Sequence, residues 1–315
     1  MVKRTKNKKR VARKAPVPKG IVAYRQMLDK MALDYARLLL DPCNAPLSFP
    51  VYGGADGSYL VRCESFVSIG NGAGITSGAF QWTPGYIGQT VNVGSVDKSI
   101  LVFGDAAATQ PKTVTALGSV SPGWAWIRNN SSEYRAVAAC LSVFYAGTEL
   151  NRSGQLSFGC VTAGLLGGPY FDGVNVTAND VMTGLPNMTR TPEGTLEVLW
   201  RPAEGDSIFK DPTTSEETGP SSEDLNRHNS CTVAYSGLTA ATGFTCKMTA
   251  VYEYKPKIGT GMALPTRTIR SGNTLAQVLG FIDRAYANPW VRHAVTQMAG
   301  QILMRPRRNA RIEEL

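Results

Sequence analysis

Residues 134–145 read YRAVAACLSVFY, a run that is apolar on both of its alternating faces. A strand with one side in water alternates strictly, whereas one that is apolar on both sides lies at the centre of a layered β structure. Working outward, residues 59–69 place Tyr59, Val61, Cys63, Val67 and Ile69 on one face, with Arg62, Glu64 and Ser68 opposite. Leu156, Phe158 and Cys160 share a face, as do Leu196, Val198 and Trp200. Cys246, Met248, Ala250, Tyr252 and Tyr254 alternate with Lys247, Thr249, Glu253 and Lys255. Weaker runs at 78–83, 99–104, 206–210 and 231–236 are further candidates. With 32 Gly and 18 Pro in 315 residues, these short strands predict an all-β sandwich or barrel. Residues 211–229 (DPTTSEETGPSSEDLNRHN) are polar and acidic, which predicts a solvated surface loop.

Helical periodicity flanks the β region. Ile21, Tyr24, Leu28, Met31, Tyr35 and Leu38 form one stripe, with Arg25, Asp29, Lys30 and Arg37 off it, so the spacing predicts an amphipathic helix over 21–40. Asp41-Pro42 and Asn44-Ala45-Pro46 end it. After residue 257 the period is helical again, through Leu275, Val278, Leu279 and Ile282. Asn288-Pro289 then resembles a helix start, opening a second helix over 289–304 through Trp290, Val291, Val295 and Met298. No stretch is long and apolar enough to cross a membrane as a helix. The basic N-terminus is not followed by an apolar run, which predicts no secretory signal.

The net charge of +9 is localised. Residues 1–19 contain Lys3, Arg4, Lys6, Lys8, Lys9, Arg10, Arg13, Lys14 and Lys19 and no acid, leaving 24 basic residues to face 24 acids in the rest of the chain. An arm of like charges with little to bury is expected to stay disordered until a polyanion neutralises it. Extended, it reaches roughly 60 Å, and no aromatic interrupts it, so it suits phosphate contact without base stacking. A localisation signal is the alternative use of such an arm. The chain closes on a second basic cluster, Arg305, Arg307, Arg308 and Arg311.

Signs of catalysis are sparse. The six cysteines form no CxxC pair and the chain has two histidines, His228 and His293, which argues against a zinc site and for reduced, buried thiols. Gly70, Gly72 and Gly74 miss the dinucleotide fingerprint, and the 74–78 segment has Thr76 where a nucleophile elbow needs Ser. Neither His228, in the acidic loop, nor His293, on the terminal helix, is placed as a general base. Glu149, Asp172 and Asp180 are candidates for interfacial Ca²⁺, with no ligand set assignable. A binding or structural protein, not an enzyme, is expected, with no cofactor.

The layout resembles the single jelly-roll capsid proteins of small icosahedral positive-strand RNA viruses, nodavirus-like and tombusvirus-like. The residues that carry the resemblance are LDPCNAPLSFPVYGG at 40–54, YAGTELNRSG at 145–154, LEVLWRP at 196–202 and AVYEYKPK at 250–257. It implies an eight-stranded antiparallel jelly-roll sandwich over 58–257, preceded by a basic RNA-binding arm (1–20) and the helix with its connector (21–57), and followed by a basic helical segment (258–315). Strands B to I would fall near 58–70, 77–83, 134–146, 154–163, 195–201, 206–210, 230–237 and 245–255, with 99–104 as an extra strand. The implied function is a coat protein that self-assembles into an icosahedral shell in the host cytoplasm and packages single-stranded RNA. The implied partners are other copies of itself, viral RNA, and a host receptor or membrane as the particle enters a cell. The helical tail following the sandwich matches the nodavirus-like pattern, whereas tombusvirus-like capsids add a protruding domain there. Nodavirus-like capsids also cleave at an Asn-Ala bond; at Asn309-Ala310 this would release six residues and leave both helices attached. The rival to the capsid reading is a non-viral glycan- or ligand-binding β-sandwich with a basic tail.

Overall fold

The computed structural model describes residues 28–52, 57–70, 75–86, 100–105, 115–116, 121–163, 176–191, 194–212, 227–239, 243–260 and 271–287. Its strands are β1 (Tyr59–Ile69), β2 (Ser77–Trp82), β3 (Ile100–Asp105), β4 (Thr115–Ala116), β5 (Ser131–Tyr145), β6 (Gln155–Thr162), β7 (Asn187–Arg190), β8 (Thr195–Leu199), β9 (Asn229–Ser236) and β10 (Phe244–Pro256). Helices are α1 (Lys30–Leu40), α2 (Trp124–Asn130), α3 (Ala178–Gly184) and α4 (Leu275–Ala287).

Two antiparallel sheets form, in the orders β1-β10-β5-β8 and β4-β3-β2-β9-β6-β7. With β1, β2, β5, β6, β7, β8, β9 and β10 lettered B to I, these orders are B-I-D-G and C-H-E-F, the jelly-roll arrangement. β3 and β4 extend the second sheet beyond β2. The inner faces meet in one core that includes Phe80, Trp82, Leu141, Val143, Leu156, Val233, Phe244, Met248 and Tyr252. Cys246, Met248, Ala250, Tyr252 and Tyr254 all face it, as the alternation in β10 predicts.

Two strand expectations are corrected. Strand F is the four-residue β7, which the sequence reading missed, so the 195–201 run is strand G and not F. β7 ends a sheet and three of its four residues are exposed, so no hydrophobic pattern marks it. Residues 206–210, expected as strand G, instead form a 3₁₀ turn at Glu204–Ser207 and one isolated bridge, Lys210 to Tyr134. The Asp206 carboxylate turns inward there to accept from the Ala203 backbone N–H at 2.9 Å, which closes the turn.

A third layer explains why 134–145 is apolar on both sides. α1 and α4 cover the outer face of the β1-β10-β5-β8 sheet, packing Leu28, Tyr35, Leu38, Val278 and Ile282 with Val137, Ala138 and Val251. The β5–β10 register shifts beside Val137, between Val251 and Tyr252, a bulge that turns Val137 and Ala138 together to the helices. Two tyrosine hydroxyls satisfy carbonyls at that irregularity: Tyr35 donates to Val137 O at 3.1 Å and Tyr52 to Ala136 O at 3.3 Å. On the far sheet, α3 packs Val181 and Met182 over Ala79 and Ala234. From outside to outside, the order is helix pair, sheet, sheet, short helix.

α1 starts later than the predicted 21–40 span. Asp29 is its N-cap, in extended conformation, with its side chain accepting from Ala32 N at 2.7 Å. A residue read as an off-stripe charge is thus the helix start signal. Residues 21–27 lie outside the described residues.

Candidate functional site

The predicted nucleic-acid-binding residues, Lys3, Arg4, Lys6, Lys8, Lys9, Arg10, Arg13, Lys14 and Lys19, and Arg305, Arg307, Arg308 and Arg311, lie outside the described residues, as does the expected helix over 289–304. The described elements nearest to these segments in sequence are α1 and α4, and both lie on the same sheet face. Asp29 ties the two segments together. One carboxylate oxygen caps α1; the other accepts from Ser271 Oγ at 2.7 Å and Gly272 N at 2.8 Å. The Asp29 backbone N–H in turn donates to Asn273 Oδ1 at 2.9 Å. Desolvation acts to raise the Asp29 pKa, but the hydrogen bonds from Ala32, Ser271 and Gly272 outweigh it and leave the pKa lowered. Thr274 and Gln277 cap α4 reciprocally, the Thr274 N–H donating to Gln277 Oε1 at 2.8 Å. At its far end, Asp283 pairs with Arg201 at 2.6 Å.

Beside the helix pair, the same face buries an ion pair. Arg135 donates through Nε and Nη2 to Glu253 Oε2 at 2.8 and 2.6 Å, and Ser58 donates to the other oxygen of that carboxylate. The guanidinium lies between the rings of Tyr52 and Phe209, 4.9 and 4.3 Å from their centroids, and also donates to Ser207 O at 2.7 Å. Burial of two charges is tolerable here because each has several partners. Ser207 and Phe209 cover the pair, so the 206–210 segment acts as a cap over the sheet and not as a strand within it.

The second buried cluster is formed by His228, Asp206 and Lys210. His228 is not in a solvated loop, as expected from its acidic neighbours, but is 4% exposed. Its Nδ1 lies 2.5 Å from Asp206 Oδ1, and Lys210 Nζ lies 3.4 Å from Nε2. Lys210 Nζ also donates to Gly85 O at 2.9 Å and sits 3.9 Å from the centre of the Tyr86 ring. The cluster clasps the segments that follow β2 and β8 to the start of β9, where Asn229 N also donates to Asp206 Oδ2 at 3.2 Å. Of the Ca²⁺ candidates, Glu149 pairs with Arg152 at 3.1 Å and Asp180 belongs to the Thr177 capping box of α3; Asp172 lies outside the described residues. Among the described residues no group of three or more acids, histidines and cysteines is arranged to hold a metal.

Known structures share this architecture. The capsid of infectious bursal disease virus, Gt strain, superposes with a TM-score of 0.51 over 85% of this chain and 99% of that one, at 9% identity. The VP2 subviral particle of the same virus gives 0.51 over 86% and 99%, at 10% identity. The fold is the jelly roll of these viral particles. A semi-empty virus-like particle of the Macrobrachium rosenbergii nodavirus matches at a TM-score of 0.34, over 65% of this chain and 98% of that one, with 12% identity. No family model and no curated protein matches the sequence. Within this jelly roll, the helix pair lies outside the B-I-D-G sheet.

Proposed function

We propose that this chain is a coat protein whose copies close into an icosahedral shell and whose basic arm packages RNA. The observation that carries the proposal is the separation of charge. A capsid jelly roll with a balanced body has its whole excess of +9 on the first 19 residues. A neutral body lets walls approach one another without repulsion, while a cationic tether neutralises phosphates on one side of them. α1 and α4, the described elements nearest to the arm and the tail in sequence, lie on one face, which supports a division into an RNA side and an opposite, outward side. α4 buries Val278 and Ile282 against the sheet layer, so its apolar stripe serves as scaffold in this reading, leaving membrane contact to other surfaces. Assembly takes place in the host cytoplasm and the mature location is the virion, with a host receptor contacted from the outside.

Electron microscopy of purified protein mixed with single-stranded RNA tests this. Closed particles of uniform diameter are expected; protein that remains monomeric under all RNA and salt conditions would refute it.

A further inference from the structure

At one end of the sandwich, on the sheet away from the helix pair, lies an open polar cleft of about 670 Å³. We infer that this cleft is a binding site for an acidic saccharide, one carrying a sulfate or carboxylate among hydroxyls. The inference rests on the coat-protein reading for its biological use, not for its chemistry.

Strand register builds the floor. Gln155 pairs with Arg190 on one side and Ser236 on the other, so the three residues lie in a row across β7, β6 and β9. Leu156 points into the core, and successive strand residues alternate, so this row faces outward. Arg152 stands at the end of the row, on the turn entering β6. Hydrogen bonds hold that turn: Thr191 Oγ1 donates to Ser153 O at 2.5 Å and Ser153 Oγ to Gly237 O at 3.0 Å. Gly154, at φ +83°, permits the close approach, since a Cβ there would lie 2.4 Å from Ser236 O.

Two arginines therefore converge on one polar hollow, and their charges are unequally used. Arg152 pairs with the rim carboxylate of Glu149, whereas Arg190 is exposed. An arginine fork matches the oxygens of a sulfate or carboxylate, and the Ser and Gln side chains suit neighbouring hydroxyls. RNA is the less suitable anion. No aromatic lines the cleft among the described residues, and the sandwich separates it from the face that carries α1 and α4, the described elements nearest to the basic segments in sequence. Many copies on one particle would add avidity to a weak single site.

The test uses particles of the full chain passed over surfaces bearing a sulfated disaccharide, sialyllactose or neutral lactose. Binding to either acidic sugar, or both, with none to lactose is expected, and the two acidic arms tell sulfate from carboxylate. Arg190→Gln should weaken binding roughly tenfold, about the worth of one charge-assisted hydrogen bond. Glu149→Gln should strengthen it, because a carboxylate that competes with the anion for Arg152 is removed. Both positions are exposed, so neither change should impair folding. Equal binding to lactose, unchanged binding by Arg190→Gln, or a parallel loss of RNA packaging in Arg190→Gln particles would overturn the inference. Particle formation, scored by microscopy on the same samples, reports on the coat-protein reading separately.

Discussion

Tyr35 shows how much one hydroxyl can do at a buried irregularity. Its ring packs between helix and sheet, and its O–H donates to the Val137 carbonyl beside the β5 bulge. Burial holds its pKa well above the usual phenol value, so it stays a donor throughout the accessible pH range. Tyr35→Phe removes the donor without changing shape and leaves a buried carbonyl short of a partner, at a cost of about 1–3 kcal/mol. Urea unfolding should show the loss as a lower midpoint with unchanged slope. All six cysteines carry free thiols, and their environments differ. Burial pushes Cys63 and Cys160 up to about 11 and Cys246 up to about 12. Cys43 moves the other way, because the Cys140 thiol donates to it and outweighs the desolvation. Alkylation at neutral pH, read by mass spectrometry, should therefore label Cys43 first, with a rate that rises at lower pH than that of a free thiol. Equal labelling of all six in the folded protein would contradict the structure.

At the scale of elements, one carboxylate links the N-cap of α1 to the segment that leads into α4. Asp29 caps α1 and receives Ser271 and Gly272, so Asp29→Ala should cost about 1 kcal/mol through the lost cap alone. The lowered pKa gives the direction of the pH dependence. A carboxylate depressed in the folded state stabilises above its unfolded value of about 4, and that contribution disappears as pH falls through the folded value. The stability gap between wild type and variant, measured by urea unfolding, should be full at pH 7 and close toward pH 2. A gap independent of pH would mean that the carboxylate is not the clamp. The elements also differ in how visible they were beforehand. β10 alternates cleanly because one face meets the core, whereas β7 is a short exposed edge whose Met188 is 59% exposed. The 206–210 stretch has strand-like residues, yet Phe209 is used to cover Arg135.

For the whole molecule, charge and topology make separate predictions. If the arm does the packaging, deleting residues 2–19 should leave the sandwich folded by circular dichroism while abolishing RNA uptake. Nine phosphate contacts to single-stranded RNA give a slope of log affinity against log salt near −6, at about −0.7 per contact. Wild-type RNA uptake by the truncated protein would remove the arm from the mechanism.

The amino-acid sequence alone determined the class of fold and the location of the excess charge. Both are local or additive properties: alternation in 59–69 and 246–254 reports which side of a strand is buried, and charge is a count. The two-sided character of 134–145 pointed to a central strand, without showing what covers its second face. Tertiary structure alone decided that α1 and α4 cover that face, that β5 bulges at Val137, that His228 is buried against Asp206, and that Arg152 and Arg190 share a cleft. Each of these joins residues distant in the chain, and a contact that depends on sheet order leaves no periodicity for the sequence to display.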